Sequence, residues 1–242
     1  MRFGIVSDIH GNLAALDAVL RLLADQGAER YVCCGDLVGY GPEPAECIER
    51  VRSLGATTVA GNHDHGVVGK LALDRFNAAA EAALGWTTGR INDRGREYLD
   101  SLPLTAAAGP LFVVHASPTG PGEWRYVVDR ADADAELDRL TGSLCVLGHT
   151  HVPVVWERVG DGPVRRLPGQ QLVLREDAKY LVNAGSVGQP RDGDPRACCM
   201  LYDEGSRELA IHRVGYDIAG VQRLMLDAGL PVVLATRLAA GF

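Results

Sequence analysis

Short apolar stretches that end at once in carboxylate, imidazole or amide side chains recur along this chain. The first covers residues 3–6 and is followed closely by Asp8 and His10. Side chains two residues apart on an extended backbone point to the same side, so these two can converge just beyond a strand. A carboxylate and an imidazole together form a site that suits Mn, Fe, Zn or Ni better than Ca or Mg. Taken alone, the pair is more typical of a polar turn after a strand.

The same pattern continues in the next two predicted strands. Residues 31–34 lead into Asp36, and residues 56–60 lead into Asn62. Helices are predicted between the strands, where apolar residues recur at helical spacing after a residue typical of N-caps. Strands that alternate with helices and carry polar residues at their carboxyl ends are typical of an α/β sheet whose site lies at that edge.

Two later predicted strands carry the remaining imidazoles of this pattern. Residues 111–114 precede His115, and residues 144–147 precede His149 and His151. Six of the seven histidines in the chain therefore follow predicted strands, whereas random placement would scatter them. The clustering favours a shared site over a series of unrelated polar turns.

The rest of the chain is predicted to complete a single unit. Two helices are predicted over residues 76–86 and 94–102, where they would cover or flank the strand ends. The last third of the chain consists of short β-rich segments separated by turns, which predicts a second sheet packed on the first. A final helix is predicted over residues 218–226, followed by a mildly apolar tail. Without repeats or long linkers, we expect one domain over residues 1–242.

The composition is that of a globular protein and argues against several classes. Charged residues make up 23% and apolar residues 47% of the 242, which argues against disorder, collagen and coiled coils. The net charge of −7 argues against a broad electrostatic grip on nucleic acid. The first strand begins within two residues of Met1 and no run of about 20 apolar residues is present, so we expect a cytoplasmic protein without a membrane span. The six cysteines are interpreted as buried reduced thiols.

The strand-end side chains together make a candidate metal centre. They supply three oxygen and four nitrogen donors, enough for two divalent ions if one carboxylate bridges them. A bridge is needed because two dications about 3.5–4 Å apart repel strongly unless anionic oxygen lies between them. The candidate metal ligands are Asp8, His10, Asp36, Asn62, His115, His149 and His151.

In the identity and order of these motifs the chain resembles the calcineurin-like metallophosphoesterases. The resemblance extends over residues 1 to about 190 and rests on the motifs Asp8-Ile9-His10, Gly35-Asp36, Gly61-Asn62-His63-Asp64, His115 and Gly148-His149-Thr150-His151. The segments 39–42 and 185–191 are similar to those of the small single-domain prokaryotic phosphodiesterases of this family, rather than its protein phosphatases.

The resemblance implies both a fold and a cofactor. The fold would be a four-layer α/β/β/α sandwich of two mixed β-sheets flanked by helices, with two divalent metal ions at the edge of the sheets. Manganese is favoured among Mn, Fe, Zn and Ni. The resemblance also implies that one ion binds Asp8, His10, Asp36 and His151, and that the other binds Asp36, Asn62, His115 and His149.

The implied activity is that of a phosphodiesterase acting on small phosphate diesters or nucleotides, with attack by hydroxide between the metals and Asp36 as the catalytic bridge. His63 follows Asn62 and is expected to face the phosphate or leaving oxygen, as general acid or charge stabiliser. A loop histidine bonded to a backbone carbonyl is the alternative. Family phosphatases orient this histidine with an Asp three residues after the bridging one, where this chain has Gly39. An orienting carboxylate therefore comes from elsewhere, with Asp64 as a candidate, or is absent.

Four other residues have two interpretations each. His65 is a candidate substrate contact or a solvated loop imidazole. Arg191 is a candidate phosphate clamp or a member of a surface ion pair. Trp124 and Tyr126 either stack on a nucleobase or belong to the core or a dimer contact.

Other functions stay open from the sequence alone. A scaffold that has lost activity would share the fold, although it need not keep costly polar groups pointing inward. A phosphomonoesterase or a dinucleoside-polyphosphate hydrolase would share every metal ligand and differ only in the pocket, which residues 66–102 and 119–130 are expected to shape. A nuclease acting on long nucleic-acid polymers is disfavoured by the acidic charge. The oligomeric state is left open, homo-oligomers included.

Overall fold

The computed structural model describes residues 1–242 and contains twelve strands and eight α-helices. The strands are β1 (Arg2–Val6), β2 (Arg30–Cys33), β3 (Thr57–Thr58), β4 (Thr105–Ala108), β5 (Leu111–Val114), β6 (Leu144–Leu147), β7 (Val154–Val159), β8 (Arg165–Arg166), β9 (Gln171–Val173), β10 (Ala178–Asn183), β11 (Ala197–Asp203) and β12 (Glu208–Val214). The α-helices are α1 (Leu13–Asp25), α2 (Pro44–Ser53), α3 (Asn62–Val67), α4 (Ala78–Thr88), α5 (Asp93–Ser101), α6 (Arg130–Arg139), α7 (Ile218–Asp227) and α8 (Val232–Leu238).

The strands form two six-stranded sheets. The first has the order β3-β2-β1-β11-β12-β9, and the second has the order β4-β5-β6-β10-β7-β8. In the first sheet β1 is parallel to β2 and antiparallel to β11. In the second sheet β10 is parallel to β6 and antiparallel to β7. Both sheets are therefore mixed, as the resemblance implies.

The two sheets pack face to face, and helices cover their outer sides. The layer between the sheets contains Phe3 from β1 and Val146 from β6. On the outer side of the first sheet α1 buries Leu16, and on the outer side of the second α6 buries Leu137. Burying a leucine side chain fully stabilises the fold by about 1.5–3 kcal/mol. The predicted four-layer α/β/β/α sandwich is confirmed.

The β-rich segments in the last third of the chain do not form a sheet of their own, so this part of the prediction is wrong. β7, β8 and β10 extend the second sheet, whereas β9, β11 and β12 extend the first. The free edge of β1 is covered by β11, with Ile5 opposite Met200, and that of β6 by β10, with Val146 opposite Val182. Unpaired backbone groups along these buried edges would each cost about as much as a lost hydrogen bond, and the late strands satisfy them.

Local signals place most helices correctly. The Asn12 side chain caps α1, and the Asp217 carboxylate caps α7. The helix predicted over residues 76–86 is α4, which begins two residues later because Asn77 caps it. No helix is long and apolar enough to cross a bilayer. All six cysteines are buried and unpaired.

Three elements escape prediction. β4 is a threonine followed by three alanines, and it becomes a strand by pairing with β5. α3 has only six residues and begins at the ligand motif itself. α8 begins with two valines and has no side-chain cap, and it is held by packing of Leu234 and Leu238 against α7 and α4.

Candidate metal centre

The predicted metal ligands converge at one edge of the sandwich, where strands of both sheets end. In the first sheet Asp8 and His10 follow β1 and Asp36 follows β2, and in the second His115 follows β5 and His149 follows β6. Six of the seven predicted ligands are buried, and the amide at the start of α3 is half-buried. The structure therefore brings together residues that lie up to 143 positions apart, from position 8 to position 151.

One cluster comprises Asp8, His10 and His151. Asp8 Oδ1 lies 3.3 Å from His151 Nε2 and 3.8 Å from His10 Nε2. The other Asp8 oxygen accepts the Ser7 hydroxyl at 2.6 Å, which fixes the carboxylate. Burial acts to raise the pKa of Asp8, but the His151 imidazole outweighs it and holds that pKa well below its usual range. The cluster thus offers an anionic oxygen and two nitrogens.

Asp36 lies between this cluster and a second one. Its Oδ2 is 3.7 Å from His10 Nε2 and 3.4 Å from His115 Nε2. His115 Nε2 is in turn 3.1 Å from His149 Nδ1 and 3.2 Å from Asn62 Oδ1. Burial acts to raise the pKa of Asp36, but the His115 imidazole holds it well below its usual range. An anionic oxygen shared by two donor clusters is the arrangement that a bridging ligand requires.

The outer nitrogens of His10 and His151 are bonded to the backbone. His10 Nδ1 donates to the Val38 carbonyl at 3.0 Å, and His151 Nδ1 donates to the Gln189 carbonyl at 2.6 Å. Because a carbonyl oxygen only accepts, these nitrogens carry the protons and each Nε2 presents a lone pair. Burial lowers the pKa of both rings, so neither holds a second proton at neutral pH. Two lone pairs therefore face each other at 3.0 Å, and a cation between them would remove the repulsion.

The second imidazole pair has the same outer contacts. His115 Nδ1 donates to the Cys34 carbonyl at 2.7 Å, and His149 Nε2 donates to the Trp124 carbonyl at 3.0 Å. Burial acts to lower the pKa of His115, but the Asp36 carboxylate outweighs it and raises that pKa to about 9. His115 Nε2 then carries a proton and donates a hydrogen bond to His149 Nδ1 at 3.1 Å. A bound metal ion would take the place of that proton. Imidazole and carboxylate donors with backbone-bonded outer nitrogens fit a divalent transition metal.

The backbone is strained at the same positions. Eight non-glycine residues of the chain have positive φ, and five of them are predicted ligands. Each such residue costs about 1–2 kcal/mol relative to ordinary backbone. In the loop that carries two of them, a Cβ added at Gly148 would overlap the Asp8 carboxylate. The five strained ligands are Asp8 (φ 51°), His10 (φ 49°), Asp36 (φ 55°), His149 (φ 68°) and His151 (φ 62°).

Comparison with known proteins identifies the family. The family model of the calcineurin-like phosphoesterase superfamily domain matches residues 1–206. The chain belongs to this superfamily. A solved metallophosphoesterase from Sphaerobacter thermophilus is similar over 100% of this chain and 99% of its own, with a TM-score of 0.87 and 42% identity.

Two curated relatives also span most of the chain. An uncharacterised protein of Methanocaldococcus jannaschii is 40% identical over 98% of this chain and 97% of its own length. The phosphodiesterase YfcE of Escherichia coli is 26% identical over 88% of this chain and 93% of its own length. The family resemblance inferred from the motifs is thus confirmed.

In this calcineurin-like phosphoesterase domain, His63 is held by packing. Its ring centroid lies 4.5 Å from that of Tyr40, 4.8 Å from that of His10 and 5.0 Å from that of Phe76. Its Nδ1 is buried without a hydrogen-bond partner, and a Cβ added at Gly39 would overlap that atom. Burial lowers the pKa of His63 to about 4. The glycine at position 39 leaves space that the ring occupies.

Asp64 does not orient His63, so that candidate is wrong. Its carboxylate accepts the backbone N–H groups of Asp36, Leu37 and Gly61, each at 2.9 Å. These bonds fasten the loop after β2, which carries Asp36, to the start of α3. The other alternative, that no carboxylate orients His63, agrees with the structure.

The two candidate substrate contacts lie beside the centre. Arg191 Nη2 donates to the Tyr40 hydroxyl at 3.3 Å and to the Gln189 side-chain oxygen at 3.1 Å. These partners are neutral, so the alternative of a surface ion pair does not hold for Arg191. His65 is half-buried, and its ring lies edge-on to Trp124 at 5.2 Å.

A cavity of about 260 Å³ opens beside two of the predicted metal ligands, Asn62 and His149. Asn62, His63 and His149 line one side of it. The other side comes from residues 71–80 and 123–126, within the two segments that were expected to shape the pocket. The cavity therefore gives a ligand access to the candidate metal centre.

Three side chains that line the cavity were not among the predicted site residues. Tyr40, Arg75 and Phe76 all line it, but none belongs to a metal-ligand motif. The Gly-Tyr-Gly-Pro loop that contributes to the family resemblance is the one signal that pointed to Tyr40. Arg75 and Phe76 reach the site only because the segment before α4 folds back over His63.

Proposed function

We propose that this protein is a di-metal-dependent phosphodiesterase that hydrolyses small phosphate diesters or nucleotides. The observation that carries the proposal is the pair of donor clusters joined by Asp36, with lone pairs of His10 and His151 facing each other at 3.0 Å. One ion would be held by Asp8, His10, Asp36 and His151, and the other by Asp36, Asn62, His115 and His149.

Bound divalent ions would supply positive charge for the phosphate oxygens and would lower the pKa of a bound water towards neutral pH. The carbonyls of Val38 and Gln189 set the tautomers of His10 and His151, which keeps both lone pairs aimed inward. His63 Nδ1 is buried without a hydrogen-bond partner, and the ring lines the cavity. We propose that the ring contacts the phosphate or leaving oxygen, as general acid or as stabiliser of developing charge.

One consideration supports a preference for diesters, and another supports an enzyme over a scaffold. The E. coli relative is a phosphodiesterase and aligns with 88% of this chain. A silent scaffold would gain nothing from a buried set of strained, mutually repelling donors. We also propose that Arg191 and His65 contact the substrate. Manganese as the native metal, a cytoplasmic location and one domain over residues 1–242 stay predictions, and the oligomeric state stays open.

The test is hydrolysis of bis-p-nitrophenyl phosphate and p-nitrophenyl phosphate by metal-stripped protein to which Mn, Ni, Zn, Fe or Mg is returned singly. We expect turnover to require added metal and to be faster for the diester. His10→Ala should abolish it, whereas His212→Ala, a matched change on β12 outside the site, should not.

Four results would contradict all or part of the proposal. Turnover that survives metal removal, or that His10→Ala leaves intact, would refute the metal dependence. Stoichiometric metal binding without turnover of either ester would favour the scaffold. A monoester that is cleaved faster than the diester would keep the enzyme but refute the diester preference.

A further inference from the structure

The loop between β5 and α6 places two aromatic side chains on the wall of the cavity, Trp124 and Tyr126. The Tyr126 ring lies nearly parallel to the His149 ring, with centroids 4.1 Å apart and an interplanar angle of 19°. One face of Tyr126 is thus packed, yet 53% of the residue is exposed. This exposure does not fit the core role considered for Tyr126. It leaves the second face of the ring available for stacking.

The loop is held in place by hydrogen bonds at both ends. At its start, the buried Glu136 carboxylate of α6 accepts the Ser117 hydroxyl at 2.6 Å and the Thr119 N–H at 3.0 Å. Near its end, the Trp124 carbonyl accepts from His149 Nε2 at 3.0 Å, and Trp124 has a left-handed φ of 57°. The aromatic wall is therefore formed before any ligand binds, which lowers the entropic cost of binding.

The charges that line the cavity favour an anionic ligand. Arg75 and Glu123 are the charged side chains of the wall. Glu123 pairs with Arg125 at 3.2 Å, outside the cavity lining, whereas Arg75 has no carboxylate partner. The wall thus combines a free guanidinium with aromatic faces, next to the candidate metal centre. This combination matches a phosphate ester that carries a planar ring.

We infer that the cavity is a nucleobase-binding site in which Tyr126 is the stacking platform, so that the substrates are nucleoside phosphate esters. This inference rests on the proposed function, because the phosphate of the same ligand would lie at the metal centre. The volume of about 260 Å³ is just below that of typical pockets for drug-sized ligands, roughly 300–1,000 Å³. The cavity therefore has room for one base.

The test compares two phosphates that differ only in the base. Binding of adenosine 5′-monophosphate and of ribose 5-phosphate to the metal-loaded protein is measured by calorimetry. Stacking of one base on an aromatic side chain predicts that the nucleotide binds about 5- to 150-fold more tightly. The ratio should fall close to one in Tyr126→Leu and persist in Tyr126→Phe, which keeps the ring. Phe242→Leu, a change at another exposed aromatic, should not alter it.

The outcomes separate this inference from the function on which it rests. A ratio near one in the unaltered protein, or one that Tyr126→Leu leaves unchanged, overturns the nucleobase site while metal-dependent ester hydrolysis persists. If neither phosphate binds the metal-loaded protein, the proposed phosphate site itself fails, and the inference fails with it. Metal content measured for each variant shows whether the His149 side of the centre is intact.

Discussion

Asp64 is a buried carboxylate that accepts hydrogen bonds only from backbone N–H groups. The loss of folding stability on its replacement by asparagine can therefore be predicted. One oxygen accepts from Asp36 and Gly61, both at 2.9 Å. The other accepts from Leu37 at 2.9 Å and from Val38 at 3.4 Å. In Asp64→Asn an NH2 group takes the place of one carboxylate oxygen. Because NH2 only donates, the two backbone N–H groups that bonded to that oxygen lose their acceptor, whichever way the amide is turned.

Each buried N–H group left without an acceptor costs about 1–3 kcal/mol, so we expect Asp64→Asn to lower the free energy of unfolding by about 2–6 kcal/mol. The loop that carries Asp36 would also loosen, because whichever oxygen is replaced, at least one N–H group of that loop loses its anchor. Metal binding should weaken as a consequence, although Asp64 itself is not a proposed ligand.

Urea unfolding of the metal-free protein, followed by far-UV circular dichroism, measures the loss. The midpoint should fall while the slope stays constant, which identifies a change in stability rather than in the unfolded state. Asp217→Asn is the matched control, because Asn and Asp cap helices about equally well at an exposed N-terminus such as that of α7. A loss below about 1 kcal/mol in Asp64→Asn would refute the reasoning, since it would mean that the two backbone donors left facing the NH2 group find other acceptors.

Asp36→Asn should abolish ester hydrolysis and lower metal content at both positions, because Asp36 Oδ2 lies between the two clusters; full activity with two ions per chain would contradict the shared ligand. His63→Ala should keep both metals and slow esters with poor leaving groups more than those with good ones, and an equal loss for both would argue against a general acid. Gly39→Ala should reduce turnover without loss of metal, because its Cβ displaces His63 at a backbone φ of 87°; unchanged kinetics would show that the ring position does not matter.

Much of the fold and of the candidate site was predictable because its signals are local. A buried strand followed directly by Asp8 and His10 is visible within ten residues, and so is the strand before His149. The order of such motifs along the chain indicated the family, and the family implied the four-layer architecture. Helix starts at Asn12 and Asp217 were also predictable, since a cap bonds to a backbone group only a few residues away.

The environment of His63 was not predictable in the same way. The sequence showed that the family's orienting Asp is replaced by Gly39, but not what occupies the space. The structure fills it with the His63 ring, packed against Tyr40 and Phe76. Such packing brings together three segments of the chain, around residues 40, 63 and 76, and their relative positions cannot be read from any short stretch of sequence.

By itself, the sequence determined which residues can serve as metal ligands and which strands deliver them, because both depend on residue type and short-range periodicity. Only the tertiary structure decided that the late strands divide between two sheets, that Asp64 anchors the Asp36 loop and that Tyr126 stacks on His149. These arrangements join residues far apart in the chain, as when β11 covers β1 with Met200 opposite Ile5. They arise because buried backbone and polar groups must find partners wherever the completed fold provides them.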